Sequence, residues 1–388
     1  LPDMSALKFT KYNEFDSLVR PLAEWLKAQG IRVKKKAKVV DVQFTIDKDC
    51  KVAKSLTYVK KGKQKTIELD KNDLVFVTNG SLVENSSWGD HHTPAKFDGT
   101  VREGGSWSLW QKIAAQDPSF GNPYNFSGHP EESQWESATL TVKDDRIRKY
   151  IKKIAKRGTN TGKVVTGGVV TVRDSNWLLS WTVSRQPHFP DQPDDQTVVW
   201  LYSLFTDKPG NYIKKSMRDC TGQEIAEEWL YHLGVEPELI HDLAADGVIS
   251  LPCMMPFVTS LFLPRDGTDR PKVVPEGAQN FAFIGQFAET SRDCVFTTEY
   301  SVRTAMEAVY TLLGVDRGVP EVYNSVYDVR QLMKATAFMR DQKGIDLSKG
   351  LRKTVEGNTL GLMLAQYQVL DSIDEVAPPS EAVAATGP

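Results

Sequence analysis

Thr182, Ser184 and His188 are the side chains of this sequence best placed to hold an anion. Thr182 and Ser184 stand two apart in the run Trp177 to Ser184, so in a strand both hydroxyls project from one face. Pro187 then bends the chain and returns His188 toward them. Two hydroxyls and an imidazole make a cradle for a carboxylate, because hydrogen bonds to a charged acceptor are the strong ones. Arg185, in the opposite strand phase, is a second anion partner, and a polar strand end facing solvent is the alternative.

A second stretch has the order strand, glycine turn, polar loop, helix start. It runs from Phe283-Ile284-Gly285-Gln286-Phe287 through Ser291-Arg292-Asp293 to Val295-Phe296-Thr297-Thr298-Glu299. Free backbone N–H groups at a helix start, reinforced by the helix dipole, favour a phosphate or the electron-rich edge of an isoalloxazine. A plain structural crossover has the same pattern. Dinucleotide-binding domains open with a Gly-x-Gly-x-x-Gly turn, and none is present, since Gly104-Gly105 and Gly167-Gly168 lack the spacing. Either the chain binds no dinucleotide, or the first βαβ unit lies outside the sequence.

The elements that must position these residues follow from periodicity. Leu18, Val19, Leu22, Trp25 and Leu26 predict an amphipathic helix over Phe15 to Gln29, stopped by Gly30. Strands are expected at Ile31 to Val33 and Ala37 to Phe44, and a hairpin from Leu56 to Leu69 about Lys61-Gly62-Lys63. Leu74 to Thr78 reads as a fully buried strand of a parallel sheet, entering a glycine turn at Gly80. From about Trp88 to Pro271 the texture changes to aromatic-rich strands and loops, including the runs Val164 to Val172 and Trp177 to Ser184 about a turn at Arg173 to Asn176. Helices follow at Gln223 to Leu233 and Pro237 to Ala245. The first texture then returns with the strand Asn280 to Gly285 and the helix Thr297 to Leu313, ended by Gly314. The first and third segments are expected to share a sheet. Tyr327 to Arg340 and Leu351 to Leu370 look helical, and the chain from Pro378 reads as a disordered tail.

Composition sets the outer limits. With 388 residues, 40% hydrophobic, the chain is long enough for two or three domains. A net charge of −2 gives no electrostatic reason to expect nucleic acid. The lysine clusters at 34 to 38 and 60 to 65 read as solvated strand edges. Cys50, Cys220, Cys253 and Cys294 form no Cys-x-x-Cys pair, so neither a metal site nor a disulfide framework is expected, and a reducing cytoplasm fits. No apolar run reaches the roughly 18 to 20 residues that span a bilayer. The first residue is not methionine and there is no signal-peptide pattern, which reads as a fragment or processed chain.

Five blocks in one order resemble the oleate hydratases, also called myosin-cross-reactive antigens. They are Leu7 to Asn13, Leu74 to Ser81, Arg185-Gln186-Pro187-His188-Phe189, Thr221 to Ile225 and Val295 to Ser301. The resemblance covers about residues 1 to 335. It implies an α/β plus α+β chain in which a partial, discontinuous Rossmann-like FAD-binding domain (1–87 and 272–325) carries an inserted substrate-binding domain (88–271). A helical C-terminal region (326–388) completes it. The family's glycine turn, its catalytic glutamate and its catalytic tyrosine have no match here, so no catalytic residue is identified, and the chain is expected to be N-terminally truncated and inactive alone.

The resemblance further implies FAD contacts from Val39, at the end of a buried strand, from Asn79 and Ser81, and from Phe287, Asp293, Val295, Phe296, Thr297 and Ser301. Thr297 and Ser301 could equally serve as a helix cap and a buried hydroxyl. Thr182, Ser184 and His188 match the carboxylate site, although Ser184 stands where the family usually has asparagine. The implied reaction adds water to the cis-9 double bond of oleate or linoleate to give 10-hydroxy acids. A homodimer is implied, with a membrane surface as a further contact of a cytoplasmic or peripheral protein. Glu14 reads as a solvated helix-start carboxylate. Trp107, Trp110, Trp135, Trp177, Trp181, Phe189, Trp200 and Phe205 could line an acyl tunnel or be ordinary core. Two other readings stand beside the hydratase: a redox flavoenzyme acting on lipids or carotenoids, and a non-catalytic fatty-acid or membrane-binding protein.

Overall fold

The computed structural model divides the chain into a unit of residues 5–320 and a unit of residues 1–4 and 321–388. It describes residues 10–70, 72–290 and 297–320. Of the second unit it describes Val329, Leu332, Met333, Thr359, Gly361 and Leu364, all helical and all within the two stretches that sequence reads as helices. The rest of those stretches, the tail and Cys294 lie outside the described residues.

Asn13 opens the first helical segment by accepting the Asp16 N–H on its side chain (3.0 Å). A π-helical turn, Phe15–Val19, runs into helix α1 (Arg20–Ala28), and Gly30 closes it in the left-handed region that glycine adopts without strain. The expected strand at Ile31 to Val33 is not formed. It is too short, and its apolar side chains are exposed, so no partner strand repays its extension.

Strands β1 (Ala37–Asp47), β2 (Cys50–Lys60) and β3 (Lys63–Glu68) make an antiparallel meander. Lys61 and Gly62 both have positive φ in the β2–β3 turn, the conformation that matches the twist of a tight hairpin. The short strand β4 (Val75–Thr78) pairs in parallel with β11 (Phe281–Ile284), Val75 opposite Phe281. The parallel pairing agrees with the sequence reading; full burial does not. Val75 and Val77 are buried, whereas Phe76 is 40% exposed. In a two-stranded pair only one face has a layer behind it. Asn280, fully buried, ties the two sheets together: its amide accepts from the Ala53 N–H (2.8 Å) and donates to the Ala53 carbonyl (3.1 Å).

The middle of the chain builds a six-stranded antiparallel sheet of order β5-β10-β6-β9-β8-β7. Its strands are β5 (Ser87–Trp88), β6 (Trp135–Val142), β7 (Val170–Thr171), β8 (Ser180–Thr182), β9 (Thr197–Ser203) and β10 (Val248–Met255). Helix α2 (Ser106–Ala114) and two one-turn helices, α3 (Tyr124–Ser127) and α4 (Pro130–Ser133), precede β6. Helices α5 (Asp145–Ala155), α6 (Gly222–Leu233) and α7 (Pro237–Gly247) pack on one face of the sheet. The core there runs from Ala138, Leu140 and Val142 through Trp181, Val199 and Leu201 to Ile225, Trp229 and Leu243. Helix α8 (Thr298–Leu312) follows β11, and Ala308 joins Val42, Val75, Phe281 and Phe283 in a second core. A third cluster is aromatic: Trp107, Trp110, Phe126, Phe257 and Phe287, with Leu261.

Candidate functional site

Two places gather the residues singled out in the sequence. The first is the C-terminal edge of the parallel pair, where β4 ends in Asn79-Gly80-Ser81 and β11 in Gly285-Gln286-Phe287. Ligands of open parallel sheets bind beyond this edge. Asn79 is 2% exposed, and both its Nδ2 and Oδ1 are buried with no hydrogen-bond partner. A buried amide with both groups unmet is costly and points to a missing polar partner. Ser81 is half-buried beside it.

Across the turn, Gln286 Nε2 donates to the Thr297 carbonyl (3.2 Å) and to Ser301 Oγ (3.1 Å), clamping the glycine turn to the start of α8. Thr297 is the N-cap: its hydroxyl accepts from the Tyr300 N–H at 3.3 Å. The Gly285 N–H donates to Thr304 Oγ1 (2.9 Å). Behind the turn, buried Arg270 donates to Glu289 (2.7 Å) and to the Gln286 carbonyl (3.3 Å). Gln286 and Arg270 escaped the sequence reading, because a lone polar side chain in a turn or loop carries no mark of what it will bridge.

Packing shapes two residues of this edge. The Phe287 side chain packs inward. It is 1% exposed, with ring centroids 4.8 Å from Trp107 and 5.1 Å from Phe126. Gly80 is required by protein packing: φ is +59°, and a Cβ there would stand 2.8 Å from Trp107 Cζ3 and 2.9 Å from Phe287 Cδ2. Asp293, Val295 and Phe296 lie outside the described residues. Val39 sits near the beginning of β1, opposite Tyr58 in the antiparallel meander, and packs against the second core. Its neighbours Lys38 and Val40 line a cleft of about 710 Å³, with Lys36, Gln64, Glu103 and Lys112. Lys36 and Lys38 are exposed at the edge strand β1, as sequence suggested, and border this cleft.

The second place is the end of β8. Val183 is buried in the first core while Thr182 and Ser184 are half-buried, so the alternation that puts both hydroxyls on one side holds past the last paired residue. Thr182 Oγ1 lies 3.0 Å from Thr166 Oγ1 and 3.0 Å from the Gly168 carbonyl. Its single proton is therefore committed within the protein, and it is not the free donor expected. Ser184 Oγ has no partner among the described residues. Gln186-Pro187 is a cis peptide, after which the His188 N–H donates to Gln192 Oε1 (2.7 Å) and the His188 carbonyl accepts from the Asn13 N–H (2.9 Å). Burial lowers the His188 pKa below the usual imidazole value, so the neutral ring offers one N–H donor at pH 7. Arg185 is exposed. The arrangement presents Ser184 and His188 as donors, with Arg185 as a nearby positive charge.

Of the aromatics proposed for a tunnel, Trp107, Trp110, Trp177 and Trp181 are core, Phe189 and Phe205 are exposed, and Trp135 and Trp200 are half-buried on the sheet. Glu14 is exposed, as a solvated carboxylate should be. His91 accepts from the Ser250 N–H through Nδ1 (3.3 Å). Glu136 carries no mark in the sequence: it is fully buried, neither oxygen has a partner, and burial followed by the charge of Asp219 raises its pKa well above the usual carboxylate range.

The fold and these two places define a mixed α/β chain in which a parallel strand pair with an unmet polar edge accompanies a helix-covered antiparallel sheet ending in anion donors. The MCRA family model matches residues 1–310, and the chain belongs to that family. It is 49% identical over 348 residues to a protein named oleate hydratase from Streptococcus pyogenes serotype M49 (strain NZ131), covering 89% of this chain and 59% of that one. It is 30% identical over 350 residues to a linoleate hydratase from Lactiplantibacillus plantarum, covering 86% of this chain and 61% of that one. The chain spans about three fifths of the length of these relatives.

Proposed function

We propose that this chain belongs to an FAD-binding hydratase that adds water across the cis-9 double bond of unsaturated fatty acids, giving 10-hydroxy acids. The 49% identity to an oleate hydratase, sustained over 348 residues, carries the reading, and the linoleate hydratase supports the same substrate class. Ser184 and His188 would hold the carboxylate, with Thr182 contributing once its hydroxyl turns from Gly168. The unmet amide of Asn79 fits a polar cofactor edge, with Ser81, Thr297 and Ser301 around it. Phe287 fits only as a support behind that edge. Bound there, FAD would supply a fixed scaffold and electrostatic field.

The reaction is carbon–oxygen bond formation without net redox: an acid protonates one alkene carbon while a carboxylate-activated water attacks the other. The sequence contains no match to the family's catalytic glutamate or tyrosine, so this chain by itself should bind the acid without turning it over. Incubation with FAD and oleate, followed by mass spectrometry for 10-hydroxystearate, tests this. Turnover would overturn the inactivity, and failure to bind oleate would overturn the whole reading. A homodimer, a cytoplasmic location and contact with a membrane surface belong to the same proposal. Light scattering and vesicle co-sedimentation check the first and last.

A further inference from the structure

Between Ser184 and His188 the chain leaves the sheet, and two glutamine amides hold it where it goes. The register that pairs Thr182 with Trp200 would next set Ser184 opposite Val198, but β8 ends at Thr182. Buried Gln186 takes the place of that strand residue. Its Oε1 accepts from the Val198 N–H (3.0 Å) and its Nε2 donates to the Val198 carbonyl (3.2 Å), the exchange that an opposing backbone would make. The same Nε2 donates to the Ser184 carbonyl (3.1 Å). Gln192 extends the network toward His188. Its Nε2 donates to Gln186 Oε1 (2.8 Å) and to the Gln196 carbonyl (2.9 Å), while its Oε1 accepts from the N–H groups of His188 (2.7 Å) and Phe189 (3.4 Å). Every donor and acceptor of both amides is thereby used. On its other side His188 is held through its carbonyl, which accepts from the Asn13 N–H (2.9 Å) and from Asn13 Nδ2 (3.4 Å).

We propose that Gln192, acting through Gln186 and the His188 main chain, is a positioning residue that aims the Ser184 and His188 donors together and so sets the preference for an acid over an uncharged headgroup. The inference rests on the carboxylate reading of Ser184 and His188. Donors carried on a connecting segment converge on one ligand only when their backbone is fixed, and a small misplacement forfeits the bond. Packing does not fix this segment. Arg185 and Phe189 are exposed, so the two amides and Asn13 supply the restraint that a core supplies elsewhere. Their neutrality matters as well. A carboxylate at position 192 would repel the bound anion, and a cation there would compete with Ser184 and His188 for it. Because all the amide donors of Gln186 and Gln192 are spent within the loop, recognition of the ligand is left to Ser184 and His188.

Displacement of cis-parinarate, a fluorescent fatty acid, from the 388-residue chain by oleate and by oleyl alcohol reads the preference. Gln192→Ala should weaken oleate about tenfold and leave the alcohol unchanged, so that the alcohol reports on folding. Gln192→Met keeps the length of the side chain and none of its hydrogen bonds, and should match the alanine variant. The His188 ring gives a readout that needs no ligand: its nitrogen NMR resonances, assigned by their absence in His188→Ala, should shift in both Gln192 variants. Equal loss of oleate and alcohol, recovery of oleate in Gln192→Met, or unmoved His188 resonances overturns the positioning role. If His188→Ala erases the preference for oleate while Gln192→Ala keeps it, the carboxylate site stands and only this inference falls. If the parent shows no preference, or His188→Ala retains it, the carboxylate reading falls and takes this one with it.

Discussion

Glu136 shows how far one residue can depart from its usual chemistry. A raised folded pKa means that the protonated form contributes stability fully below the unfolded value of about 4.3, and that this is lost as pH rises through the folded value. Glu136→Gln, which cannot ionise, should therefore gain on the parent as pH increases, by about 1–3 kcal/mol at pH 8 and little at pH 4. Urea denaturation at the two pH values measures it, and a pH-independent difference would mean that the carboxyl finds a partner. Gly80 makes a steric prediction of the same scale. Both its positive φ and the Trp107 and Phe287 rings oppose a side chain, so Gly80→Ala should cost about 2–4 kcal/mol in the same assay. Thr182 and Ser184 were visible in the sequence as polar groups in one strand phase, and Asn79 entered through the family resemblance. That one has its proton committed to Gly168 and another has lost every partner depends on chain segments that no local pattern names.

At the scale of elements, termini and anchors matter more than periodicity. The Thr221 hydroxyl and the Glu224 carboxylate form a reciprocal capping box at the start of α6, and Thr221→Ala should lower stability by about 1 kcal/mol. Glu228, on the same helix, is fully buried and accepts from the N–H groups of Asn211 (2.7 Å), Tyr212 (2.8 Å) and Ile213 (2.8 Å), with His232 at 3.1 Å. Burial pulls its pKa up, but these donors outweigh it and hold the value below the usual carboxylate range. Removing the carboxylate strands three part-buried donors, so Glu228→Ala should cost about 2–4 kcal/mol, visible as a lowered melting temperature and as proteolysis of the 210–213 loop. Helices α1, α6, α7 and α8 were readable from their apolar spacing, three of them with a glycine stop, whereas α2 and α5 lie in the stretch that sequence read only as aromatic-rich strands and loops. Short extended runs were misread. Ile31 to Val33 found no partner, and β4 kept one face exposed, because a strand is completed by neighbours and not by its own sequence.

At the scale of the whole molecule, the parallel pair joins segments some two hundred residues apart, and Asn280 binds both to the meander. If Asn79 meets a bound cofactor, FAD should raise the melting temperature of the chain, equivalent to about 2.7 kcal/mol at one hundred times its dissociation constant, and Asn79→Ala should remove most of that rise. An unchanged rise in the variant would remove Asn79 from the site. The sequence alone determined helices α1, α6, α7 and α8, the glycine stops, the alternation along Trp177 to Ser184 and the family's collinear blocks, since each acts within a few residues. Tertiary structure alone decided that Phe287 belongs to an aromatic core, that Glu136 is buried without a partner, and that the Thr182 hydroxyl meets Thr166 and Gly168. Those outcomes arise from register and packing between distant segments, and the free energy that selects them has no local signature in the chain.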